Sequence, residues 1–284
     1  MAKREKKEKE PQYYTSLTNI QVLNYKVYYM GKTEKIICFI AAFIVGAMLG
    51  YLFFGGIGKD GFGKPTMVTH VLNLGISTGV GMFTGCKFIP IRIQQILKKR
   101  NKMLRQQFRD MLECLTTSLG AGKNVTDAFM AVQVDLEVQY DADAFILQEL
   151  AVIVSGLRNN QAIEDLLYDF GKRSGVKEIL MFANIFKISY RKGGNIKDII
   201  CNTNEIMKGK MEIAEEIETV ITSGKSELNT MMAMPILLIG MIKMMSPDFA
   251  ENFTSLTGII STVIALGMFV AAFYIGRAVM EIKI

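Results

Sequence analysis

The segment Ile36–Ile57, IICFIAAFIVGAMLGYLFFGGI, contains no charged residue. A hydrocarbon core about 30 Å thick takes about 20 helical residues to cross, so this run is long enough to span a bilayer. Three more stretches read the same way: Met67–Ile91, Asn229–Met245 and Ser255–Gly276. They stand in pairs toward the two ends of the 284-residue chain, with a polar block, Arg92–Leu228, between them. In lipid only helices or closed barrels satisfy every backbone polar group. The expected fold is therefore all-α, a polytopic membrane protein with four transmembrane helices in two hairpins flanking a cytoplasmic bundle of about six antiparallel helices. The domains divide as a basic tail with a juxtamembrane segment (1–35), a first hairpin (36–91), a helical domain (92–228) and a second hairpin with a short cytoplasmic C-terminus (229–284).

Charge placement orients this arrangement. The formal charge of +6 suggests nucleic acid. Yet residues 93–227 hold 18 Lys/Arg against 19 Asp/Glu, a net of −1, while the tail 1–35 holds eight basic and four acidic residues. The surplus sits beside the membrane segments, which excludes nucleic acid as the partner. The link Gly58–Thr66 carries only Lys59 and Lys64 as basic residues, and the link Ser246–Thr254 carries no basic residue, only the acids Asp248 and Glu251. The positive-inside rule then predicts a multi-pass protein of the cell (cytoplasmic) membrane, with both termini and the central domain in the cytoplasm. Arg92, Lys98, Lys99, Arg100, Lys102, Arg105 and Arg109 form a basic run without an acid. Near anionic lipid each such charge is worth roughly 1 kcal/mol.

The N-terminus MAKREKKEKEPQ reads as a charged, disordered leader, and the first span begins too late and runs too long for a cleavable signal. Cys38, Cys86, Cys114 and Cys201 have no paired spacing, so no disulfide framework is expected.

Within the spans, Gly46 and Gly50, Gly75 and Gly79, and Gly81 and Gly85 recur at four-residue spacing. That spacing lets helix backbones approach closely in lipid. Lys87 and Lys243 lie near span ends and can snorkel, and His70, the only histidine, sits near an outer end. A proton or ion path wants ionisable groups at mid-membrane. Their absence disfavours the alternative reading, a small four-span transporter or channel subunit.

The polar block lacks proline over 93–227 and shows no strand alternation. About six helices are expected, near 93–120, 124–138, 142–157, 161–173, 176–191 and 195–224. Two helix starts share one grammar. Gly122 and Gly193 end a helix, Asn124 and Asn195 cap the next, and an Asp three residues on completes a capping-box-like start. A third, near Gln161 and Glu164, is looser. The first and last of these helices join membrane spans and are expected side by side.

Catalytic constellations are missing, and the chain is not expected to be an enzyme. No GxxxxGK[ST] loop is present to cradle phosphates. A single histidine outside the block excludes a His-based triad and most zinc sites. Asp141 and Asp143 form a DxD-like pair, which reads better as a helix start than as a cation site. No cofactor and no metal are expected.

The stretches Leu119–Phe129, Val154–Leu167 followed by Lys172–Gly175, and Arg191–Ile200 together resemble the three sequence blocks of the type II secretion F domain. One such domain between two pairs of spans is similar to the Tad/Flp pilus platform proteins. Asn24–Tyr28 through Glu34 and Lys35 resembles the stretch before the first span in such proteins of Gram-positive lineages. The resemblance implies a platform that couples a cytoplasmic secretion or pilus ATPase to extraction and polymerisation of prepilin subunits. It also implies a paralogous F-domain partner or a second copy of the chain. Gly122, Asn124, Gly193, Gly194 and Asn195 are then candidate partner contacts.

Overall fold

The computed structural model describes residues 10–16, 19–57, 66–246, 252–253 and 255–280. The leader over 1–9 and the link residues Lys59, Lys64, Asp248 and Glu251 lie outside the described residues. Two short strands come first, β1 (Tyr13–Thr15) and β2 (Gln21–Leu23). Helices follow as α1 (Lys32–Phe54), α2 (Met67–Gly120), α3 (Val125–Gln139), α4 (Phe145–Arg158), α5 (Ile163–Ser174), α6 (Lys177–Arg191), α7 (Ile196–Met245) and α8 (Leu256–Met280). The described residues are thus overwhelmingly helical. Four helices, α1, α2, α7 and α8, are long and apolar enough to cross a membrane.

Two of these are longer than the separate segments expected. α2 runs through Pro90 and α7 through Pro235 without ending. Proline removes one backbone donor and crowds the preceding turn. In lipid-facing helices it is nonetheless tolerated, because local adjustments re-satisfy the freed groups.

The chain divides into two compact units. A globular unit comprises the described residues up to Tyr29 together with Ile93–Glu212, and a span unit comprises Met30–Arg92 and Ile213–Ile284. The stretch Ile213–Leu228, read from sequence with the helical block, groups with the spans.

In the globular unit, α2 presents Leu104, Phe108, Met111, Leu112 and Leu115, all without solvent contact. Those positions follow the i, i+4, i+7, i+8, i+11 stripe of an amphipathic helix. They join Phe129 and Leu136 of α3, Ile146 and Leu150 of α4, Phe170 of α5, Phe182 and Phe186 of α6, and Met207 of α7 in one core. Phe108 sits 6.0 Å from Phe170 and 5.5 Å from Phe182, ring centroid to centroid. At such separations aromatic pairs add to the stabilisation from buried area. The buried end of α4 lacks a capping side chain of its own. Gln107 of α2 replaces it, its Oε1 accepting from the Ile146 N–H at 3.2 Å. α5 ends on Gly175 at φ +69°, the left-handed cap, with Lys172 and Arg173 in its last turn.

β1 and β2 pair antiparallel, Tyr13 with Leu23 and Thr15 with Gln21. Asn19, at φ +62°, lies between them. The disordered-leader reading ends at Gln12, and no element was expected over 13–23. Three-residue strands are too short to show alternation, and their order comes from the surface they cover.

The span unit packs on different rules. Gly46 and Gly50 are the buried residues of α1. Thr84 of α2 donates its hydroxyl to the Ala42 carbonyl at 3.2 Å, a helix-to-helix hydrogen bond that needs backbones this close.

Candidate functional site

The glycines singled out for close packing separate into two groups. A Cβ at Gly46 would collide with the Thr84 hydroxyl and reach the Gly81 backbone, and one at Gly50 would press on Ser77 and Val80. Side chains at Gly81 and Gly85 would strike the rings of Phe43 and Phe39. These four glycines line one contact between α1 and α2. Gly75 and Gly79 have open space where a Cβ would stand. Gly79 precedes Gly81 by two residues, about 200° of rotation on an α-helix, and so lies on the other side of α2.

At the first helix-start turn Gly122 takes φ +87°. Asn124 Oδ1 accepts from the Asp127 N–H at 2.8 Å, and its amide donates to the Asp127 carboxylate at 2.7 Å. The second turn repeats this with Gly193 at φ +70°. Asn195 takes the Asp198 N–H at a longer 3.4 Å and donates to its carboxylate at 2.6 Å. Gly194 packs against Ser189. Asn124 and Asn195 are exposed, and open space surrounds Gly122 and Gly193. The third start has no side-chain cap. Its left-handed residue is Asn160, at φ +55°, and Glu164 instead accepts from Arg191 at 3.2 Å.

Sequence reasoning missed the most densely bonded group in the globular unit. Arg173 of α5 makes a two-pronged ion pair with Glu149 of α4, at 2.9 and 2.8 Å, and both side chains are almost fully buried. Its Nε donates to Asp169 at 2.8 Å. Tyr25, which has no solvent contact, donates its hydroxyl to Glu149 at 2.9 Å. Arg173 also donates to the Leu23 carbonyl at 3.2 Å, and its own carbonyl accepts the Tyr25 N–H at 3.0 Å. The Tyr25 ring meets Phe145 edge-on at 5.5 Å, and the Arg100 guanidinium lies over the Tyr28 ring at 5.1 Å. The described residues between 10 and 29 therefore form a strap tied to α4 and α5. The signal in the sequence was the Asn24–Tyr28 stretch, in which Tyr25 finds its partners more than a hundred residues away.

Burial and the neighbouring Glu149 carboxylate push the Tyr25 hydroxyl well above its ordinary range. Burial works against the ionised Glu178. Its own backbone N–H, the hydrogen bond from Lys210 and the Arg105 charge nevertheless hold it below the usual carboxylate range. Tyr140 donates a very short hydrogen bond to Asp110, and burial, followed by that bond, raises its hydroxyl as well. Asp141 and Asp143 lie in the turn before α4, where their carbonyls accept from Ala144 and Gln148. Among the described residues no group of three or more His, Cys, Asp or Glu is placed to hold a metal ion. The Arg173–Glu149 pair joins α5 to α4, and the Glu178–Lys210 pair joins α6 to α7.

Compared with known proteins, the chain matches no family model, no curated protein and no solved structure.

Proposed function

We propose that the chain is a non-enzymatic platform of the type II secretion F-domain kind, with the layout of the Tad/Flp pilus platforms. In this reading the globular unit is a six-helix bundle in the cytoplasm, and the spans form two hairpins whose links face outward. A cytoplasmic ATPase acts on the bundle, and the platform moves prepilin subunits from the bilayer into a filament. A paralogous F-domain protein or a second copy completes the assembly.

One observation carries this most. The three sequence blocks that resemble the F domain all fall on helix junctions. Leu119–Phe129 covers the end of α2 and the start of α3, Val154–Leu167 with Lys172–Gly175 covers the end of α4 and both ends of α5, and Arg191–Ile200 covers the α6–α7 turn. Blocks that set helix junctions constrain a fold, which supports reading the resemblance as one of architecture. Two features support the mechanical role. The turns at Gly122–Asn124 and Gly193–Asn195 present exposed polar groups suited to a partner. α2 and α7 each supply residues to both units, and in this reading they are the segments that carry a load.

The test is co-purification. The full-length chain, solubilised from the native host, is expected to retain a secretion-type ATPase. Asn124→Arg together with Asn195→Arg is expected to release it without loss of the chain from the membrane. An ATPase that never binds, in a host that builds filaments without this chain, refutes the proposal.

A further inference from the structure

A cavity of about 310 Å³ opens within the span unit. Phe53 of α1, Pro235 and Ile239 of α7, Phe253, and Ala265 and Phe269 of α8 form its walls. Thr262 also faces it, but its hydroxyl is turned back onto the Gly258 carbonyl at 2.8 Å. The lining is otherwise almost wholly carbon. Apolar cavities of this kind stay dry and take up apolar ligands. Here the walls belong to helices apolar enough to cross a membrane, so the surrounding solvent is hydrocarbon rather than water.

The cavity lies where two of the helices end. Phe53 is the penultimate residue of α1, and Lys243 stands two residues before the end of α7. Lys243 donates to the Leu52 carbonyl at 2.7 Å and to the Phe53 carbonyl at 3.3 Å, satisfying groups that a helix C-terminus leaves without partners. Its ammonium is also 4.6 Å from the centre of the Phe253 ring, which lines the cavity. A fixed positive charge therefore stands beside an apolar slot at the depth where spans meet headgroups.

We propose that this cavity holds one acyl chain of a membrane phospholipid, and that Lys243 draws the anionic headgroup of the same lipid. Lining and charge commit the occupant: an almost wholly carbon wall receives the chain, and the Lys243 ammonium beside it attracts an anionic headgroup, a pairing that the apolar surface of a partner's membrane helix does not offer. The inference rests on the membrane reading of α1, α7 and α8 alone and does not require the platform role.

The experiment uses the full-length chain in nanodiscs of equal phosphatidylglycerol and phosphatidylcholine, each carrying a photoreactive acyl chain in turn. Crosslinks are expected to concentrate on peptides holding Pro235–Ile239 and Ala265–Phe269, above those holding the lipid-exposed Ile37 and Met48. Phosphatidylglycerol is expected to label the cavity roughly fivefold better, the factor one charge contributes near an anionic lipid. Ala265→Phe fills the slot and should lower its labelling to the level at Ile37 and Met48, with Ser261→Leu as a second filling variant. Lys243→Gln should keep the chain label and lose the headgroup preference, which Lys243→Arg restores. Labelling of the cavity no stronger than at Ile37 and Met48 overturns the proposal. So does labelling untouched by either filling variant, or crosslinking of the cavity peptides to another protein.

Discussion

In the globular unit, Phe108, Phe129, Phe170, Phe182 and Phe186 have no more than a trace of solvent contact. In the span unit the buried residues of α1 are Gly46 and Gly50, while Met48 between them is 74% exposed. The same chain therefore buries its largest apolar side chains in one place and its smallest residues in the other. Water drives the first arrangement, because removing apolar area from it is worth about 25 cal/mol per Å². Lipid tails are as apolar as leucine, so nothing is gained by turning Met48 inward, and contact comes from backbones that approach closely. Each unit also holds charge against its own rule, the Tyr25–Glu149–Arg173 group in one and Lys243 in the other.

Predictions that break this contrast can be ranked. Arg173→Met leaves Glu149 buried without its ion partner and should cost about 3–5 kcal/mol, read by denaturant unfolding of the globular unit in the full-length chain. Phe108→Ala opens the aromatic core at comparable cost, about 3–5 kcal/mol in the same assay. The span unit should ignore both, so a cysteine crosslink between α1 and α2 keeps its yield. Gly81→Leu should behave inversely, abolishing that crosslink while the unfolding midpoint of the globular unit stays put.

Smaller changes sharpen the picture. Tyr25→Phe removes the hydroxyl from Glu149, costs about 1–3 kcal/mol, and should speed hydrogen exchange at the Tyr25 amide. Because folding raises the Tyr25 hydroxyl, its contribution is complete below about pH 10, the value in an unfolded chain, and is lost as pH rises through the folded value. Beyond the base-catalysed rise common to every amide, exchange at that amide should therefore gain extra speed in alkali in the wild type and not in Tyr25→Phe. Asn124→Ala should cost about 1 kcal/mol as a lost helix cap. Asn195→Ala should cost less, since its bond to the Asp198 N–H is longer. Gly75→Ala and Gly79→Ala should change neither unit, because open space receives the added methyl.

What was legible in the sequence follows from distance along the chain. The starts of α3 and α7 could be read because Gly122, Asn124 and Asp127, and Gly193, Asn195 and Asp198, act on one another within a few residues. The spans could be read because a bilayer imposes a length. The four-residue glycine spacing was visible, but not which face of α2 meets α1, and so Gly75 and Gly79 were grouped with Gly81 and Gly85. The prolines Pro90 and Pro235 were read inside spans. The continuity of each span with its neighbouring helix, at 91–93 in α2 and 224–229 in α7, was hidden, because apolar spans and charged helices differ in composition along one unbroken backbone. The strap was hidden for a different reason. Tyr25 acquires its role from Glu149 and Arg173, and Gln107 acquires its own from the start of α4, contacts that no local pattern announces. Residue type was no guide there either, since a tyrosine beside a membrane span usually marks the interface.

The most direct test of the platform account is the fate of prepilin in the native host after deletion of this chain. The account predicts that prepilin accumulates in the membrane, that no filament is assembled, and that restoring the intact chain, but not one carrying Gly81→Leu, rescues assembly. Filaments of normal number in the deletion host would contradict it, as would solute or ion flux through liposomes holding the purified chain alone.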